Sequence, residues 1–463
     1  MMKKDWQTAA AEHFPYRPTR SQEQALYVFS RFANTRAERP LWLLKGSAGT
    51  GKTTLIRALA GALHASGVPL VLLAPTGRAA KVMSAYTGLP AGTIHRHIYY
   101  PLPGNAGGGF RLRKNACRDT VFIVDEVSMM PDSSAPGETP LLRDLLEYVY
   151  SGAGCKLILS GDEMQLPPVG YSHSPALDKN YLQNRYGMRV AETVLDETVR
   201  QQADSAILQH AVRLRELIDT DERFVWRPDG TQIIIPQDAY EWQDYLYESF
   251  GDTESDASLF ITRSNIRANL FNRQIRRYVY DAEGHLSPGE SLMAVKNNYF
   301  YPQGEKDAFI ANGERLKVLR VHRIVEKSDW TFAEAELRLD DSGSAPFEAV
   351  LWLDSLYAGR ASMPQDERQR LFETVAAGYP GLKGRALHTA VRNDPYFQAL
   401  QVKYAYAVTA HKAQGGQWKR VFIENPVRED PASPGYKRWL YTALTRAVEK
   451  VYLIGFDGGD VEK

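Results

Sequence analysis

The feature that most constrains this chain is a glycine-rich segment that follows the pattern G-x-x-x-x-G-K-[ST]. Its eight residues are Gly46, Ser47, Ala48, Gly49, Thr50, Gly51, Lys52 and Thr53. An apolar run at 41–44 precedes it, and apolar residues at helical spacing follow over 55–63, so a strand, a loop and a helix are predicted in that order. Such a loop turns backbone N–H groups toward an anion at a helix N-terminus. We therefore predict a nucleoside triphosphate site that also includes Thr54, with Lys52 on the β- and γ-phosphates and Thr53 on Mg²⁺.

The composition excludes several other classes of protein. Lys and Arg number 56 against 55 Asp and Glu, so any site for a polyanion must be a local groove rather than a basic surface. The two cysteines, Cys117 and Cys155, fit a reducing compartment and have no metal-ligand spacing. No apolar run approaches the ~20 residues of a membrane span, and the N-terminus lacks the apolar core of a signal peptide. We expect a cytoplasmic protein that does not associate with membranes.

Strand-like runs alternate with amphipathic helices in two parts of the chain, which predicts an α/β fold with parallel sheets. The strand candidates are 41–44, 70–73, 121–124, 156–159, 232–235, 259–262, 421–423 and 451–454. The rhythm breaks around 97–118, where a small hairpin-like insertion is predicted. It breaks again at 285–400, where alternating segments predict a small β-rich insertion, with a helical elaboration over 351–400.

Two acids end one of the predicted strands. Asp125 and Glu126 follow the apolar run 121–124. Adjacent acids at a strand end are usually a solvated turn, but beside a phosphate-binding loop Asp125 is the expected second anchor for Mg²⁺. Glu126 is then placed to deprotonate the water that attacks the γ-phosphate. Gln165, in a proline-flanked loop after the next strand, can hydrogen-bond the same phosphate.

Taken together, several segments resemble those of the superfamily-1 helicases, specifically the RecD/Dda-like (1B) branch that moves 5′→3′ on single-stranded DNA. The matching segments are A-P-T-G-R-A-A at 74–80, T-I-H-R at 93–96, G-D-E-M-Q-L-P-P-V at 161–169, A-V-T-A-H-K-A-Q-G at 407–415 and Y-T-A-L-T-R-A at 441–447. They occur in the family order in both α/β regions. The resemblance implies two RecA-like domains, at 1–96 with 119–203 and at 204–284 with 401–463. The insertions are then a strand-separating pin at 97–118 and an SH3-like module at 285–400.

The resemblance also implies that ATP lies in the cleft between the two domains. It places Gln22 on the adenine, although the T-x-x-Q pattern there is also that of a helix capping box. Arg200 and Arg446 resemble the two family arginines that reach the γ-phosphate, Arg446 from across the cleft; the alternative for each is a surface ion pair. Gln414 and Gly415 are implied to couple the nucleotide state to the second domain.

The same segments imply where a single strand is held. The residues concerned are Pro75, Thr76, Thr93, His95, Asn297, Thr409 and His411. Hydroxyls and imidazoles suit phosphate contacts that are made and released at each step, since base-reading contacts would stall a motor.

Two further sets of residues have competing interpretations. No acid interrupts the basic stretch 259–277; we assign its Thr262 and Asn265 to the groove, whereas Arg276 and Arg277 are expected on a solvated helix face. In the predicted pin, the aromatic residues Tyr99, Tyr100 and Phe110 either stack on the terminal base pair or form the core of the hairpin. The three glycines at 107–109 differ from a stiff pin.

We therefore predict an ATP-driven 5′→3′ helicase that acts as a monomer on single-stranded DNA and on junctions of single and double strands, with ATP and Mg²⁺ as cofactors. A repair or recombination protein is a candidate partner. The alternatives are an RNA helicase of the same superfamily, a motor subunit active only inside a nuclease complex, and a small-molecule kinase. The last leaves Gln165 and Arg446 without a role.

Overall fold

The computed structural model describes residues 5–101, 110–132, 140–198, 205–251, 257–282, 284–301, 309–340, 344–360, 363–426 and 429–462, with the backbone alone at 101 and 110. Within these ranges no helix is both long enough and apolar enough to cross a bilayer.

The first half of the chain forms a parallel sheet and a small hairpin. The strands are β1 (Pro40–Gly46), β2 (Leu70–Ala74), β3 (Ala91–Thr93), β4 (Tyr99–Pro101), β5 (Phe110–Leu112), β6 (Val121–Val124), β7 (Lys156–Gly161) and β8 (Arg189–Leu195). The sheet has the order β3-β2-β6-β7-β1-β8, and β4 pairs antiparallel with β5. This sheet carries the glycine-rich loop at the carboxyl end of β1.

Helices cover both faces of this sheet. They are α1 (Trp6–Ala11), α2 (Arg20–Ala33), α3 (Lys52–Ala65), α4 (Gly77–Thr87), α5 (Ile94–Ile98), α6 (Leu141–Ser151) and α7 (Lys179–Tyr186). Alternate residues of β1 enter different cores: Leu41 and Leu43 pack on one face, whereas Trp42 and Leu44 pack on the other. Burial on both faces is what an all-parallel sheet requires, and it explains why β1 is continuously apolar at 41–44.

The second half contains another parallel sheet and a closed barrel. Its strands are β9 (Ile233–Ile234), β10 (Ser258–Thr262), β11 (Ser291–Ala294), β12 (Arg315–Lys327), β13 (Trp330–Leu339), β14 (Phe347–Trp352), β15 (Leu400–Tyr404), β16 (Ala407–Thr409), β17 (Trp418–Glu424) and β18 (Ala447–Ile454). The sheet has the order β16-β10-β17-β18-β9, and β11 to β15 close the barrel. The barrel is thus inserted between two neighbouring strands of the sheet.

Seven helices belong to this half in the described ranges. They are α8 (Ala206–Leu217), α9 (Ala239–Phe250), α10 (Asn265–Val279), α11 (Gln365–Ala376), α12 (Gly384–Arg392), α13 (Ala410–Ala413) and α14 (Pro434–Leu444). Helices α11 and α12 lie in the chain between β14 and β15. They share an apolar cluster with Trp330 and Trp352 of the barrel, so this elaboration packs on the barrel rather than on the sheet.

The basic stretch that includes β10 and α10 is largely neutralised. Arg276 was expected on a solvated face, but this prediction is wrong: it is 4% exposed, forms an ion pair with Glu290 and lies over the ring of Tyr404. The reason is that the end of α10 is covered by the barrel, which sequence periodicity does not reveal. Arg267 is likewise paired with Glu424, whereas Arg277 is exposed as expected.

Candidate nucleotide and nucleic-acid site

The glycine-rich loop has the backbone that a phosphate cradle needs. Gly49 and Gly51 have φ angles of 77° and 80°, in the left-handed region that favours glycine. Helix α3 begins directly afterwards at Lys52, and Thr53 is exposed in its first turn. The loop therefore presents its N–H groups and one hydroxyl at the N-terminal end of a fourteen-residue helix.

The ammonium group of Lys52 lies inside this loop. Its Nζ donates to the carbonyl oxygens of Gly46, at 2.5 Å, and of Ser47, at 3.2 Å. A nearby serine hydroxyl, Ser47 Oγ, accepts from Arg215 Nη1 at 2.6 Å. Two cations thus converge on the loop, one from α3 and one from α8 on the other half of the chain.

The acids at the end of β6 face this loop. Asp125 accepts from the hydroxyl of Tyr86 at 3.0 Å and from the backbone N–H of Glu126 at 2.9 Å. Burial raises the pKa of Glu126, and the positive charges of Arg446 and Lys52 act against that rise. Because the carboxyl group of Glu126 is both desolvated and close to cations, it is suited to taking a proton from a bound water.

A tyrosine joins the two halves of the chain at the loop itself. The hydroxyl of Tyr441, on α14, accepts from the N–H of Ala48 at 2.8 Å and donates to Asp162 Oδ2 at 2.7 Å. Tyr441 is 1% exposed and Asp162 is also 1% exposed. The loop, the end of β7 and helix α14 therefore meet at a single buried hydroxyl group.

The segment after β7 is docked on the second half by further hydrogen bonds. The N–H of Leu166 donates to Thr442 Oγ1 at 2.8 Å, and Gln414 Nε2 donates to the carbonyl of Leu166, also at 2.8 Å. The amide oxygens of Gln165 and Gln414 are buried with no hydrogen-bond partner among the described residues. Because an amide oxygen only accepts hydrogen bonds, these two fit a water bound beside a phosphate rather than the phosphate oxygens themselves.

Arg446 and Gly415 line the same cleft. Arg446 is 4% exposed, and its guanidinium donates to Thr442 O at 3.1 Å and to Gly416 O at 3.2 Å. Gly415 has a φ of 74°, and a Cβ there would lie 2.6 Å from the Cβ of Ala79 in the first half. Close approach of the two halves therefore requires glycine at this position.

Gln22 is fully buried, and the capping-box interpretation is the one that the structure supports. Its Oε1 accepts from Thr19 N at 3.0 Å, while Thr19 Oγ1 accepts from the N–H of Gln22. Its Nε2 donates to the carbonyl of Thr50 at 3.1 Å, which attaches α2 to the phosphate loop. The contact with adenine stays a prediction. Thr54, in the first turn of α3, accepts from the hydroxyl of Tyr16 at 3.1 Å.

The predicted strand-binding threonines share one structural position. Thr76, Thr93 and Thr409 each follow or end a parallel strand and are the N-cap residues of α4, α5 and α13. Because β2 and β3 are neighbours in one sheet and β16 is the edge strand of the other, these threonines lie on both sides of the boundary between the halves. Pro75 precedes the first of them and is half-buried.

A cavity of about 210 Å³ lies at this boundary. Its lining includes Thr76 from the first half, His411 and Gln414 from the second, and Asn312 from the loop before β12. Asn297 supports that loop, because its Oδ1 accepts from the N–H of Asn312 at 2.6 Å. The predicted strand contacts on the two halves are therefore close together, with the barrel as a third wall.

Both histidines predicted to contact the strand have a lowered pKa. Burial lowers the pKa of His95 to about 4. Burial and the charge of Arg263 lower the pKa of His411. Neutral imidazoles can hydrogen-bond a phosphate without adding a fixed positive charge to the groove.

Two other predicted strand contacts are wrong. Tyr99 is 1% exposed, packs in the core of the first half and donates its hydroxyl to Asp144 at 2.8 Å, so it cannot stack on a base. Thr262 is fully buried, and its hydroxyl donates to the carbonyl of Ser264 at 3.0 Å. In each case the side chain is packed inside the protein, although the sequence pattern had suggested that it could contact a strand. Asn265 remains half-exposed at the start of α10.

Other predicted residues lie outside what the structure describes. Arg200 is not within the described residues, and neither are the glycines at 107–109. The backbone of Phe110 belongs to β5, whereas its side chain is outside the described part of the chain. In the same hairpin Tyr100 is 42% exposed, with Arg113 4.1 Å over its ring.

Sequence reasoning assigned no role to Tyr441, Asp162 or Arg215. Tyr441 and Asp162 lie inside two of the segments that resemble helicase motifs. Nothing in either segment indicates that their side chains contact each other. Arg215 lies on the amphipathic helix α8 without any motif around it. Its contact with the phosphate loop depends on how the two halves pack together.

Comparisons with known proteins agree with this arrangement. A family model described as an AAA domain matches residues 21–224, and one described as the UvrD-like helicase C-terminal domain matches residues 404–454. The ATP-dependent RecD2 DNA helicase of Deinococcus radiodurans is 40% identical over 94% of this chain and 49% of its own length. The ATP-dependent DNA helicase dda of Enterobacteria phage T4 is 33% identical over 89% of this chain and 93% of its own.

A solved structure shows the same fold. The crystal structure of Bacteroides Pif1 bound to ssDNA superimposes with a TM-score of 0.50 and 18% identity, over 96% of this chain and 93% of that one. The fold and the cleft define the class, which is that of P-loop proteins with two RecA-like domains. Within it, this chain belongs to the superfamily-1 helicases of the RecD/Pif1 (1B) branch. The chain spans about half the length of the Deinococcus relative.

Tyr441→Phe tests the buried hydroxyl junction. Removing this hydroxyl leaves the Ala48 N–H and one Asp162 oxygen without their shared partner, so the apparent free energy of unfolding should fall by about 1–3 kcal/mol. Chemical denaturation measures this change. The control is Tyr436→Phe on the same helix, since the hydroxyl of Tyr436 has no hydrogen bond within the described residues. Equal effects of the two variants would contradict the junction.

The ring of His95 should titrate far below the usual range of histidine. Its folded-state pKa is about 4, against an ordinary value near 6.5. Because the unfolded chain binds the proton first, His95 stabilises the fold fully above pH 6.5, and this contribution is lost as pH falls toward 4. Histidine NMR titration of the wild type and of His95→Asn identifies the signal. A midpoint near 6.5 would show that the ring is solvated.

Proposed function

We propose that this chain is an ATP-driven translocase on single-stranded DNA that unwinds duplex DNA in the 5′→3′ direction. The observation that carries the proposal is the cleft in which the positive charges of Lys52 and Arg446 act on the buried carboxyl group of Glu126, with Arg446 supplied by the opposite RecA-like domain. A hydrolytic site shared by two domains couples chemistry to their relative position. The proposal includes a division into two RecA-like domains. The first comprises residues 1–96 and 119–203, and the second comprises residues 204–284 and 401–463.

Hydrolysis is assigned to residues at the ends of β1 and β6. Lys52 and the loop N–H groups hold the phosphates, and Glu126 takes the proton of the attacking water. Thr53 and Asp125 would hold a Mg²⁺ ion, which needs only one or two protein oxygens at such a site and would supply positive charge to the phosphates.

Arginines are assigned to stabilise the transferred phosphoryl group. Arg446 and, in the segment after β8, Arg200 are assigned to the negative charge that develops on its oxygens. In this structure the guanidinium of Arg446 donates to carbonyls of its own domain, so it is held in place before the cleft tightens. Gln165 and Gln414 are assigned to sense the γ-phosphate and transmit its loss, and their unsatisfied amide oxygens would accept from a water bound beside it.

Movement requires each domain to grip the strand with an affinity that depends on the nucleotide. We assign the strand contacts of the first domain to Thr76, Thr93 and His95. We assign those of the second domain to Thr409 and His411. The hydrogen bonds at Leu166 and Tyr441 connect the two domains beside the phosphate loop. When the cleft closes and opens, the strand contacts of one domain then move along the strand relative to those of the other domain.

Strand separation by the purified chain, supplied with ATP and Mg²⁺, tests the proposal. Matched duplexes carry either a 5′ or a 3′ single-stranded tail, and Lys52→Ala protein is the control. Separation of the 5′-tailed duplex alone is the expected result. Separation of only the 3′-tailed duplex would refute the direction.

The same assay distinguishes the alternatives. If neither duplex opens while DNA still stimulates ATP hydrolysis, the chain is a translocase or a motor subunit that needs a partner. Stimulation by RNA but not by DNA would instead indicate an RNA helicase.

A further inference from the structure

Helix α8 lies against the phosphate loop but packs on the second sheet. Its buried residues Ile207, Ala211 and Leu214 belong to the apolar cluster that includes strands β9, β10, β17 and β18 and helix α14. Leu208 and Arg215 are seven residues apart and therefore share a different face of the same helix. That face meets the loop, so α8 connects the loop to the second half of the chain.

Three consecutive residues of the phosphate loop are contacted from the second half. Ser47 Oγ accepts from Arg215 Nη1 at 2.6 Å, and the N–H of the next residue donates to the hydroxyl of Tyr441 at 2.8 Å. The third is Gly49, where a Cβ would lie only 2.6 Å from Cδ1 of Leu208. The loop is thus held along its first turn by side chains of the second half, two of them from α8.

Ser47 is the loop residue that receives a cation from each half. Its carbonyl oxygen accepts from Lys52 Nζ at 3.2 Å, and its hydroxyl accepts from Arg215. Ser47 is 8% exposed, so both contacts are largely shielded from solvent. A shift of α8 relative to the first sheet therefore acts on the residue beside the lysine that is expected to contact the phosphates.

The charge of Arg215 is directed at the loop. Its side chain is half-buried, and within the described residues its interaction is the hydrogen bond to Ser47, with no carboxylate partner. Arg223 and Arg227, which follow α8 in the chain, are by contrast paired with Asp460 and Glu462. A hydrogen bond from a charged donor is stronger than one between neutral groups, so this contact can transmit a domain movement.

We propose that Arg215 is a positioning residue that links the affinity for ATP to strand binding through the hydroxyl group of Ser47. The inference rests on the proposed function, since it needs a strand that changes the relative position of the two domains. Because α8 moves with the second domain, that change makes or breaks the bond between Arg215 and Ser47. The strand then alters the affinity for ATP, and ATP alters the affinity for the strand by the same factor.

Binding of a non-hydrolysable fluorescent ATP analogue with Mg²⁺, measured with and without saturating oligo(dT), tests this role. The ratio of the two dissociation constants is the coupling factor. Arg215→Met and Ser47→Ala should each reduce it by about tenfold, or to 1 where it is smaller, because one hydrogen bond to a charged group is lost. The control is Arg213→Met, the same change on the same helix, where the guanidinium lies 6.0 Å from the ring centre of Phe224. It should keep the wild-type factor.

A double-mutant cycle tests whether Arg215 acts through Ser47. In the Ser47→Ala background, Arg215→Met should cause no further loss of coupling. Arg215→Lys, which keeps a charged donor, should retain part of the factor that Arg215→Met loses. If Arg215→Met lowers the factor equally in the wild-type and Ser47→Ala backgrounds, the two residues act independently and the proposal is wrong.

The coupling factor also separates this role from a structural one. A distorted loop would weaken binding of the analogue equally with and without the strand, so the ratio would not change. A wild-type factor that both single variants retain would overturn the coupling role and leave the proposed function intact. A wild-type chain that binds no oligo(dT) would refute the proposed function, and the coupling role with it.

Discussion

Glu126→Gln should lower the rate of ATP hydrolysis by about 10²- to 10⁴-fold while ATP still binds. The carboxyl group of Glu126 is buried and close to Lys52 and Arg446, so the amide keeps the size of the side chain while it removes the proton acceptor and its negative charge. Single-turnover hydrolysis measures the chemical step, and equilibrium binding of a fluorescent ATP analogue measures the nucleotide site.

The control for this variant is Glu147→Gln, the same change at an exposed position on α6. It should hydrolyse ATP at the wild-type rate. A Glu126→Gln protein that retains wild-type hydrolysis would exclude Glu126 as the base and would transfer that role to Asp125 or to the phosphate itself. Loss of ATP binding along with hydrolysis would instead show that Glu126 holds the cleft together.

Arg446→Ala should cost about 10³-fold or more in hydrolysis, because an arginine supplied across a cleft stabilises charge that develops only in the transition state. Its guanidinium is oriented by the carbonyls of Thr442 and Gly416. Arg446→Lys should recover only a small part of the rate, since an ammonium group cannot reproduce the planar set of donors. Steady-state hydrolysis with and without oligo(dT) measures both variants.

A second measurement separates this role from a structural one. If Arg446 acts on the transition state, kcat falls while the affinity for ATP changes little. A rise in KM at constant kcat would place Arg446 in ground-state binding instead. Arg438→Ala is a comparison from helix α14, which ends just before Arg446, because Arg438 also spans the cleft, donating to the carbonyl of Glu163, but does not lie at the phosphate loop.

The nucleotide-binding half of the site could be predicted because short, continuous segments of the sequence encode it. The phosphate loop needs glycine at positive φ, an apolar strand before it and a helix after it, and all three are contiguous in the sequence from 41 to 63. The two acids follow a run, 121–124, that is apolar because β6 is buried on both faces. The family and its two RecA-like domains followed from ordered motifs of the same kind.

The errors came from side chains whose exposure depends on distant packing. Tyr99 and Thr262 have residue types suited to the strand groove, yet one lies in the core and the other is covered at the end of β10. Arg276 has the periodicity of a helix surface, but the barrel, inserted after α10, buries it against Glu290. A local pattern gives the face of an element on which a residue lies, not what covers that face.

The sequence by itself determined the phosphate loop, the acids beside it, the family and most strands of the two parallel sheets, because short-range chemistry and hydrophobic periodicity encode each of them. Only the tertiary structure decided that the Tyr441 hydroxyl joins Ala48 to Asp162, and that Arg215 reaches the hydroxyl of Ser47 in the phosphate loop. These groups are far apart in the chain. They meet because the two sheets and the barrel pack in one particular way, and packing is a property of the whole fold rather than of any segment.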